Sequence, residues 1–325
     1  MRYSLKIQRD AIREAIRARF AMVIPILRGM LYSTNRAMIE ALGGYDKITL
    51  EQFARVYQEN PGDYGICFEY AVHQSIRRRD PAIHPLLSGV LEEFCGIVGG
   101  AESILFGVEK TGEFHLRETA GDLLTDESRV LVGRRGQPVK LKRRLNDLVA
   151  AFRSERHREK LPYSIRGLWK ADLFVGSPGP DQWVGTSLKT NRADLEPYRG
   201  LRLGLYPEER PGHGPRRDEA TNLVLCPLPY SGDFMQLFGA SFWIVKHLVA
   251  ANAKPPSRIA LVYEDDQAVA RWLSDRRGFP VLGVIDALLP IQQPGLFDET
   301  EDEASPPSKD GEETVAAAPI PLKTS

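Results

Sequence analysis

Apolar residues recur at helical spacing along the first hundred residues, and this pattern predicts a series of helices. The longest is predicted over residues 4–42 and stops at Gly43-Gly44. A short helix is predicted to begin at Thr49, which forms a capping box with Gln52. Two further helices are predicted over residues 64–79 and 84–97.

Short apolar runs dominate the middle of the chain and predict strands at 170–175 and 182–190, joined by a Pro/Gly turn. Runs within 101–133 and at 201–206, 222–228, 258–263 and 280–287 predict further strands. Helices are predicted over 138–160, 233–252 and 265–277. Strands mixed with helices in this way predict an α/β fold with a central mixed sheet flanked by helices.

Charge and composition divide the chain into three parts: a helical N-terminal region (1–60), an α/β domain (61–289) and a disordered acidic tail (290–325). The formal net charge is zero, but residues 298–325 hold eight acids and two lysines. The rest of the chain therefore carries six net positive charges. A basic body of this kind is compatible with a nucleic-acid partner.

The three cysteines, Cys67, Cys95 and Cys226, are far apart and match neither a disulfide framework nor a zinc pattern. They are predicted to be buried thiols in a reducing cytoplasm. The sequence contains no apolar run long enough to cross a bilayer, and its first residues lack the apolar core of a signal peptide. No membrane association is therefore expected.

A carboxylate and a lysine lie on the two strands of the predicted hairpin. Asp172 is on the first strand, and Lys189 is near the end of the second. Because residues i and i+2 of a strand face the same way, Ser187 and Lys189 should point together toward Asp172. The carboxylate would hold Mg²⁺ or Mn²⁺, and the lysine would orient water and offset transition-state charge. The alternative is an exposed ion pair without a function.

This arrangement resembles the PD-(D/E)xK superfamily of nucleases, over roughly residues 62–230. Members carry a helical glutamate, then an acid at a strand end, then an acid-x-lysine on the next strand. The corresponding residues here are Glu69, Asp172 and Ser187-Leu188-Lys189. The resemblance implies a restriction-endonuclease-like fold with Glu69 and Asp172 as metal ligands. It also implies cleavage of DNA or RNA, in restriction or anti-phage defence.

Ser187 departs from the family pattern because it replaces the second acid. A neutral hydroxyl is a poor substitute for a carboxylate on Mg²⁺. Either Glu69 supplies the missing charge, or the chain is an inactive nucleic-acid-binding or scaffold subunit on the same fold. A small-molecule α/β enzyme is a third class, but the sequence has no phosphate-binding glycine loop and no nucleophile elbow.

A basic cluster before the hairpin is predicted to contact phosphates without reading sequence. Its members are Arg134, Arg135, Lys142, Arg143 and Arg144. The alternative is a solvated helix face. A homodimer is expected if the protein cuts both strands of a duplex.

The tail carries one short motif, formed by Gln293, Leu296 and Phe297. It resembles the Q-x-x-L-F peptides that bind bacterial sliding clamps, which implies a clamp as partner. The alternative is that Leu296 and Phe297 pack on the folded domain as its last anchor.

Overall fold

Helices form the first hundred residues of the computed structural model, which describes residues 2–106, 123–132, 137–196, 200–208, 214–229 and 233–292. They are α1 (Arg2–Ser33), α2 (Arg36–Ala41), α3 (Leu50–Val56), α4 (Asp63–Arg77) and α5 (Ile83–Cys95). Later helices are α6 (Leu145–Arg153), α7 (Glu155–Lys160), α8 (Asp233–Ala250), α9 (Glu264–Asp275) and α10 (Val281–Leu288). In the described part of the chain, no helix is both long and apolar enough to cross a membrane.

Local capping explains where the early helices begin. The predicted helix over 4–42 forms as α1 and α2 because Asn35 interrupts it, and its side chain accepts a hydrogen bond from the Ala37 N–H. The capping box is confirmed: Thr49 Oγ1 accepts from the Gln52 N–H at 3.2 Å, and Gln52 Oε1 accepts from the Thr49 N–H at 3.0 Å. These bonds satisfy main-chain donors that a helix leaves unpaired at its start.

The described strands form one mixed sheet of eight. They are β1 (Glu102–Leu105), β2 (Arg129–Val132), β3 (Gln137–Lys140), β4 (Leu173–Ser177), β5 (Gln182–Leu188), β6 (Arg202–Glu208), β7 (Arg216–Asp218) and β8 (Leu223–Pro229). The order is β1-β4-β5-β6-β8-β7, with β2 and β3 branching from β5. The expected α/β class with a mixed sheet between helices is therefore confirmed.

Strand β5 joins the two parts of the sheet. Its residues 182–186 pair antiparallel with β4. Its first half, 182–184, pairs in parallel with β2, and its second half, 186–188, pairs in parallel with β6. The hairpin that the sequence predicts is thus at the centre of the sheet.

Apolar side chains fill both faces of the sheet. On one face, here called the α4 face, Val184 and Leu188 of β5 join a core shared with α1, α4 and α8. On the other, the α6 face, Trp183 joins a core with α6 and with residues 161–171. Because side chains alternate along a strand, odd-numbered residues of β5 belong to the α6 face.

Residues 2–60 pack into the same compact unit as the sheet, and that unit extends to Gln292. Helix α1 contacts α4, α8, α9 and α10, so the predicted boundary at residue 60 lies inside the unit. A 3₁₀ turn, Leu289–Gln292, ends the described chain. The predicted tail from residue 293 onward lies outside the described residues.

Three predicted elements are wrong. Residues 138–160 are not one helix: 137–140 form β3 because they pair with β2, and extended backbone at Ser154 separates α6 from α7. Residues 258–263 form a turn followed by irregular chain rather than a strand, and Ile259 is 93% exposed. The predicted strand at 280–287 is instead the helix α10 from Val281 onward, whose buried positions repeat at helical spacing.

All three cysteines are free, and the prediction of buried thiols is confirmed for two of them. Cys67 and Cys226 are buried, and Cys95 is partly buried. Burial raises the pKa of the Cys95 and Cys226 thiols to about 12. These thiols therefore stay protonated and unreactive at neutral pH.

Candidate functional site

Asp172 immediately precedes β4 and extends the pairing of the hairpin. Its main-chain N–H donates to the Thr186 carbonyl at 2.8 Å. Its carboxylate then takes the place of a main-chain acceptor, because Oδ2 accepts from the Leu188 N–H at 2.9 Å. Only 8% of the side chain is exposed. The carboxylate is thus fixed in a buried position at the open end of the hairpin.

Lys189 approaches Asp172 from the neighbouring strand. The Lys189 N–H donates to the Leu205 carbonyl at 3.0 Å, which continues the ladder between β5 and β6. Its Nζ lies 3.6 Å from Asp172 Oδ2, and 38% of the lysine side chain is exposed. The structure therefore brings the two predicted residues together, with the acid buried and the amine open to solvent.

Ser187 is opposite Asp172 in the hairpin register and is buried. Its Oγ accepts a hydrogen bond from Arg202 Nη1 at 3.2 Å. Arg202 Nη2 also donates to the Gly167 carbonyl at 2.5 Å, and only 3% of Arg202 is exposed. Sequence reasoning missed Arg202, although an arginine inside the apolar run 201–206 was an available signal.

Glu69 occupies a different place from the other predicted residues. It is a half-buried residue of helix α4, which packs on the face of the sheet that carries Val184 and Leu188. Ser187 and Lys189 project from the α6 face, as Trp183 does. Burial raises the pKa of the nearby Cys67 thiol, and the charges of Asp63 and Glu69 raise it further. The structure thus groups Asp172, Ser187 and Lys189, and it places the helix of Glu69 across the sheet from them.

A second carboxylate lies beside the site on the chain that follows β5. Glu196 forms an ion pair with Lys170, which precedes Asp172 by two positions in the sequence. Its pKa is lowered, chiefly by the hydrogen bond and charge of Lys170 and further by the charges of Lys189 and Arg202. Three cations, Lys170, Lys189 and Arg202, therefore act on Glu196 together.

The described residues around Asp172 offer few ligands for a divalent cation. Among the described residues, no group of three His, Cys, Asp or Glu side chains is placed to hold a metal ion. Mg²⁺, however, is often bound through one or two carboxylates together with substrate phosphate and water. The Asp172 carboxylate is one ligand of this kind, and the Ser187 hydroxyl on the facing strand is a weaker, neutral oxygen donor.

The predicted phosphate contacts are described only in part. Lys142 and Arg143 are exposed on a 3₁₀ turn, and Arg144 is half-buried. Lys142 Nζ is 3.1 Å from Asp126 Oδ1, and Arg144 Nη1 is 3.1 Å from Asp147 Oδ2. The remaining predicted contacts and the clamp motif lie outside the described residues: Arg134, Arg135, Gln293, Leu296 and Phe297.

Comparison of the chain with models of protein families, with curated proteins and with solved structures gave no match. A function is therefore inferred from the chemistry of the residues around Asp172.

Proposed function

We propose that the protein is a metal-dependent nuclease with its active site at Asp172 and Lys189. One observation carries the proposal: the Lys189 ammonium is 3.6 Å from the buried Asp172 carboxylate, at the open end of the central hairpin. A fixed acid beside a solvent-accessible lysine suits the hydrolysis of a phosphodiester, in which negative charge develops on oxygen.

Each residue of the site has a separate role in this proposal. Asp172 holds Mg²⁺ or Mn²⁺ with help from the Ser187 hydroxyl, and a bound ion of this kind polarises phosphate and lowers the pKa of water. Lys189 orients the attacking water and offsets the developing charge. Arg202 positions Ser187 through the hydrogen bond to its Oγ.

The resemblance to PD-(D/E)xK nucleases supports the same assignment. Asp172 and Lys189 follow the family order along the chain and their hairpin lies in a mixed sheet, whereas Glu69 matches the pattern only in chain order, since its helix is across the sheet from them. A restriction-endonuclease-like fold and a DNA substrate, with RNA as the second choice, belong to this proposal. The exposed Lys142 and Arg143 are proposed to contact the nucleic-acid backbone. The sliding clamp and the homodimer stay predictions.

An inactive nucleic-acid-binding subunit is the second candidate, and one observation favours it. The position of the missing acid is occupied by Ser187, which is bound to a buried arginine. Lys170, Lys189 and Arg202 together outnumber the carboxylates of Asp172 and Glu196. Such an excess of positive charge attracts phosphate and repels a divalent cation until the phosphates of a substrate are also bound.

Cleavage assays separate the two candidates. Linear, circular and single-stranded DNA, and single-stranded RNA, are incubated with Mg²⁺ or Mn²⁺ and wild-type protein, Asp172→Asn or Lys189→Gln. Lys246→Gln is the matched control, because Lys246 is also ion-paired, to Glu59, but on α8. A nuclease should lose at least about a hundredfold in rate with either site variant and keep its rate with the control.

The other outcomes are equally informative. Salt-sensitive binding of nucleic acid without cleavage by the wild type would support the second candidate. Neither cleavage nor binding would reject both. Cleavage that survives Asp172→Asn would move the active site away from the hairpin.

A further inference from the structure

Lys170 and Glu196 form an ion pair at the edge of the site that the proposed chemistry does not use. Lys170 ends the 3₁₀ turn Leu168–Lys170, and its Nζ contacts Glu196 Oε2. Lys170 Nζ also lies over the ring of Trp169, 5.5 Å from its centroid. The lysine ammonium therefore has a carboxylate and an aromatic ring as neighbours before any ligand arrives.

The charges around Glu196 match those that would bind a phosphate. Its carboxylate contacts Lys170 and lies within the field of Lys189 and Arg202. Ammonium and guanidinium groups bind carboxylate and phosphate oxygens through the same charge-assisted hydrogen bonds. Removing the Glu196 carboxylate would raise the positive potential around Lys170, Lys189 and Arg202. The carboxylate thus lies where the neighbouring cations would attract an anionic ligand.

We propose that Lys170 and Lys189 form a phosphate subsite beside Asp172, and that Glu196 holds the place of the phosphate in the free protein. The ligand is a backbone phosphate of a nucleic acid, so this inference rests on the proposed function. Glu196 leaves Lys170 when that phosphate binds.

The exposure of the ion pair makes this exchange easy. The Lys170 and Glu196 side chains are 39% and 63% exposed, and exposed ion pairs contribute little to stability. The binding phosphate would replace the contact that Lys170 loses. Arg202, in contrast, is buried and bonded to Ser187 and Gly167, so its charge acts on the subsite without a direct contact to the ligand.

The test measures binding in the absence of divalent metal, so that cleavage does not enter. Fluorescence anisotropy of a labelled single-stranded oligonucleotide is recorded at low salt for wild type, Glu196→Gln, Lys170→Gln and the double variant. Loss of one charge about 5–6 Å from a phosphate in water should tighten binding about threefold for Glu196→Gln. Lys170→Gln should weaken it by a similar factor and reduce the effect of Glu196→Gln. Both effects should shrink at high salt.

Glu59→Gln is the matched control, since Glu59 is also 63% exposed and paired with a lysine, Lys246 of α8. It makes the same change in net charge and should leave binding unchanged. An equal gain in the control and in Glu196→Gln would overturn the subsite. Weaker oligonucleotide binding by Glu196→Gln would also overturn it. Loss of metal-dependent cleavage by Glu196→Gln with binding intact would overturn it too, because Glu196 would then be an acid of the catalytic site.

Competition by inorganic phosphate and by a nucleoside monophosphate identifies the source of the ligand. If Glu196→Gln strengthens the binding of these small anions but not of the oligonucleotide, the nucleic-acid source is overturned. A wild type that binds no oligonucleotide overturns the proposed function and the subsite together. A wild type that cleaves, with Glu196→Gln indistinguishable from it in binding, rejects the subsite alone.

Discussion

Replacing Arg202 with methionine should strongly destabilise the protein. The guanidinium joins three segments, because it belongs to β6, donates to Ser187 Oγ of β5, and donates to the Gly167 carbonyl that precedes β4. Methionine keeps most of the apolar stem but removes both hydrogen bonds. The change therefore tests the polar contacts rather than the packing.

The expected cost follows from those two bonds. A hydrogen bond to a charged group contributes about 1.5–3 kcal/mol, and a buried acceptor that loses its donor adds a penalty. Removal of a buried charge offsets part of this, because the guanidinium no longer has to be desolvated. We expect Arg202→Met to lower the free energy of unfolding by about 3 kcal/mol, a large share of the 5–15 kcal/mol typical of a domain.

Urea denaturation followed by circular dichroism measures this cost, provided that the m-value is unchanged. Arg192→Met is the control: Arg192 is exposed and its guanidinium is 6.0 Å from the Tyr206 ring centroid, so the loss should stay below about 0.5 kcal/mol. In a double-mutant cycle, Arg202→Met should cost less when Ser187 is already alanine. A loss under about 1 kcal/mol, or full additivity with Ser187→Ala, would refute the reasoning.

Three further substitutions test the core, the hairpin and helix α5. Because burial raises the pKa of Cys226 to about 12, the unfolded chain releases this thiol proton first as the pH rises above about 8.5–9, so stability should fall. Between pH 8 and pH 10 this fall should be about 1.5 kcal/mol smaller in Cys226→Ala, and parallel curves for the two proteins would contradict the assignment. A Cβ added at Gly176 would be 2.1 Å from the Gln182 carbonyl oxygen, so Gly176→Ala should cost about 3 kcal/mol or more in thermal or urea unfolding. Gly89→Ala, in open space on α5, should instead stabilise by about 0.5–1 kcal/mol.

Local signals explain the parts of the fold that the sequence predicts well. The capping box at Thr49 needs only residues within one turn, and the hairpin needs only two apolar runs and a turn between them. The strand predicted at 280–287 is wrong, although a local signal for a helix was present. The buried residues have helical spacing: Val281, Val284, Ile285 and Leu288. An eight-residue apolar run is short enough to satisfy either pattern.

Long-range pairing explains the rest. Strand β3 forms because it pairs with β2, and no residue pattern within 138–160 predicts that pairing. The site follows the same division. Alternation along β5 and the register of the hairpin place Ser187 and Lys189 near Asp172, so these residues were predictable. Arg202 and Glu196 reach the site from later segments of the chain, through tertiary packing that a single sequence does not display.

The forked pairing of β5 ties the placement of the site to the correctness of the fold. A slip of one residue along this strand would exchange its two faces. Trp183 would leave its core at the same moment as Ser187 and Lys189 left the neighbourhood of Asp172. Because β5 borders β2, β4 and β6, such a slip would break three sets of pairings at once. A misregistered chain would therefore fail to fold rather than persist as a stable, inactive protein, and quality control in the cell could recognise it as unfolded.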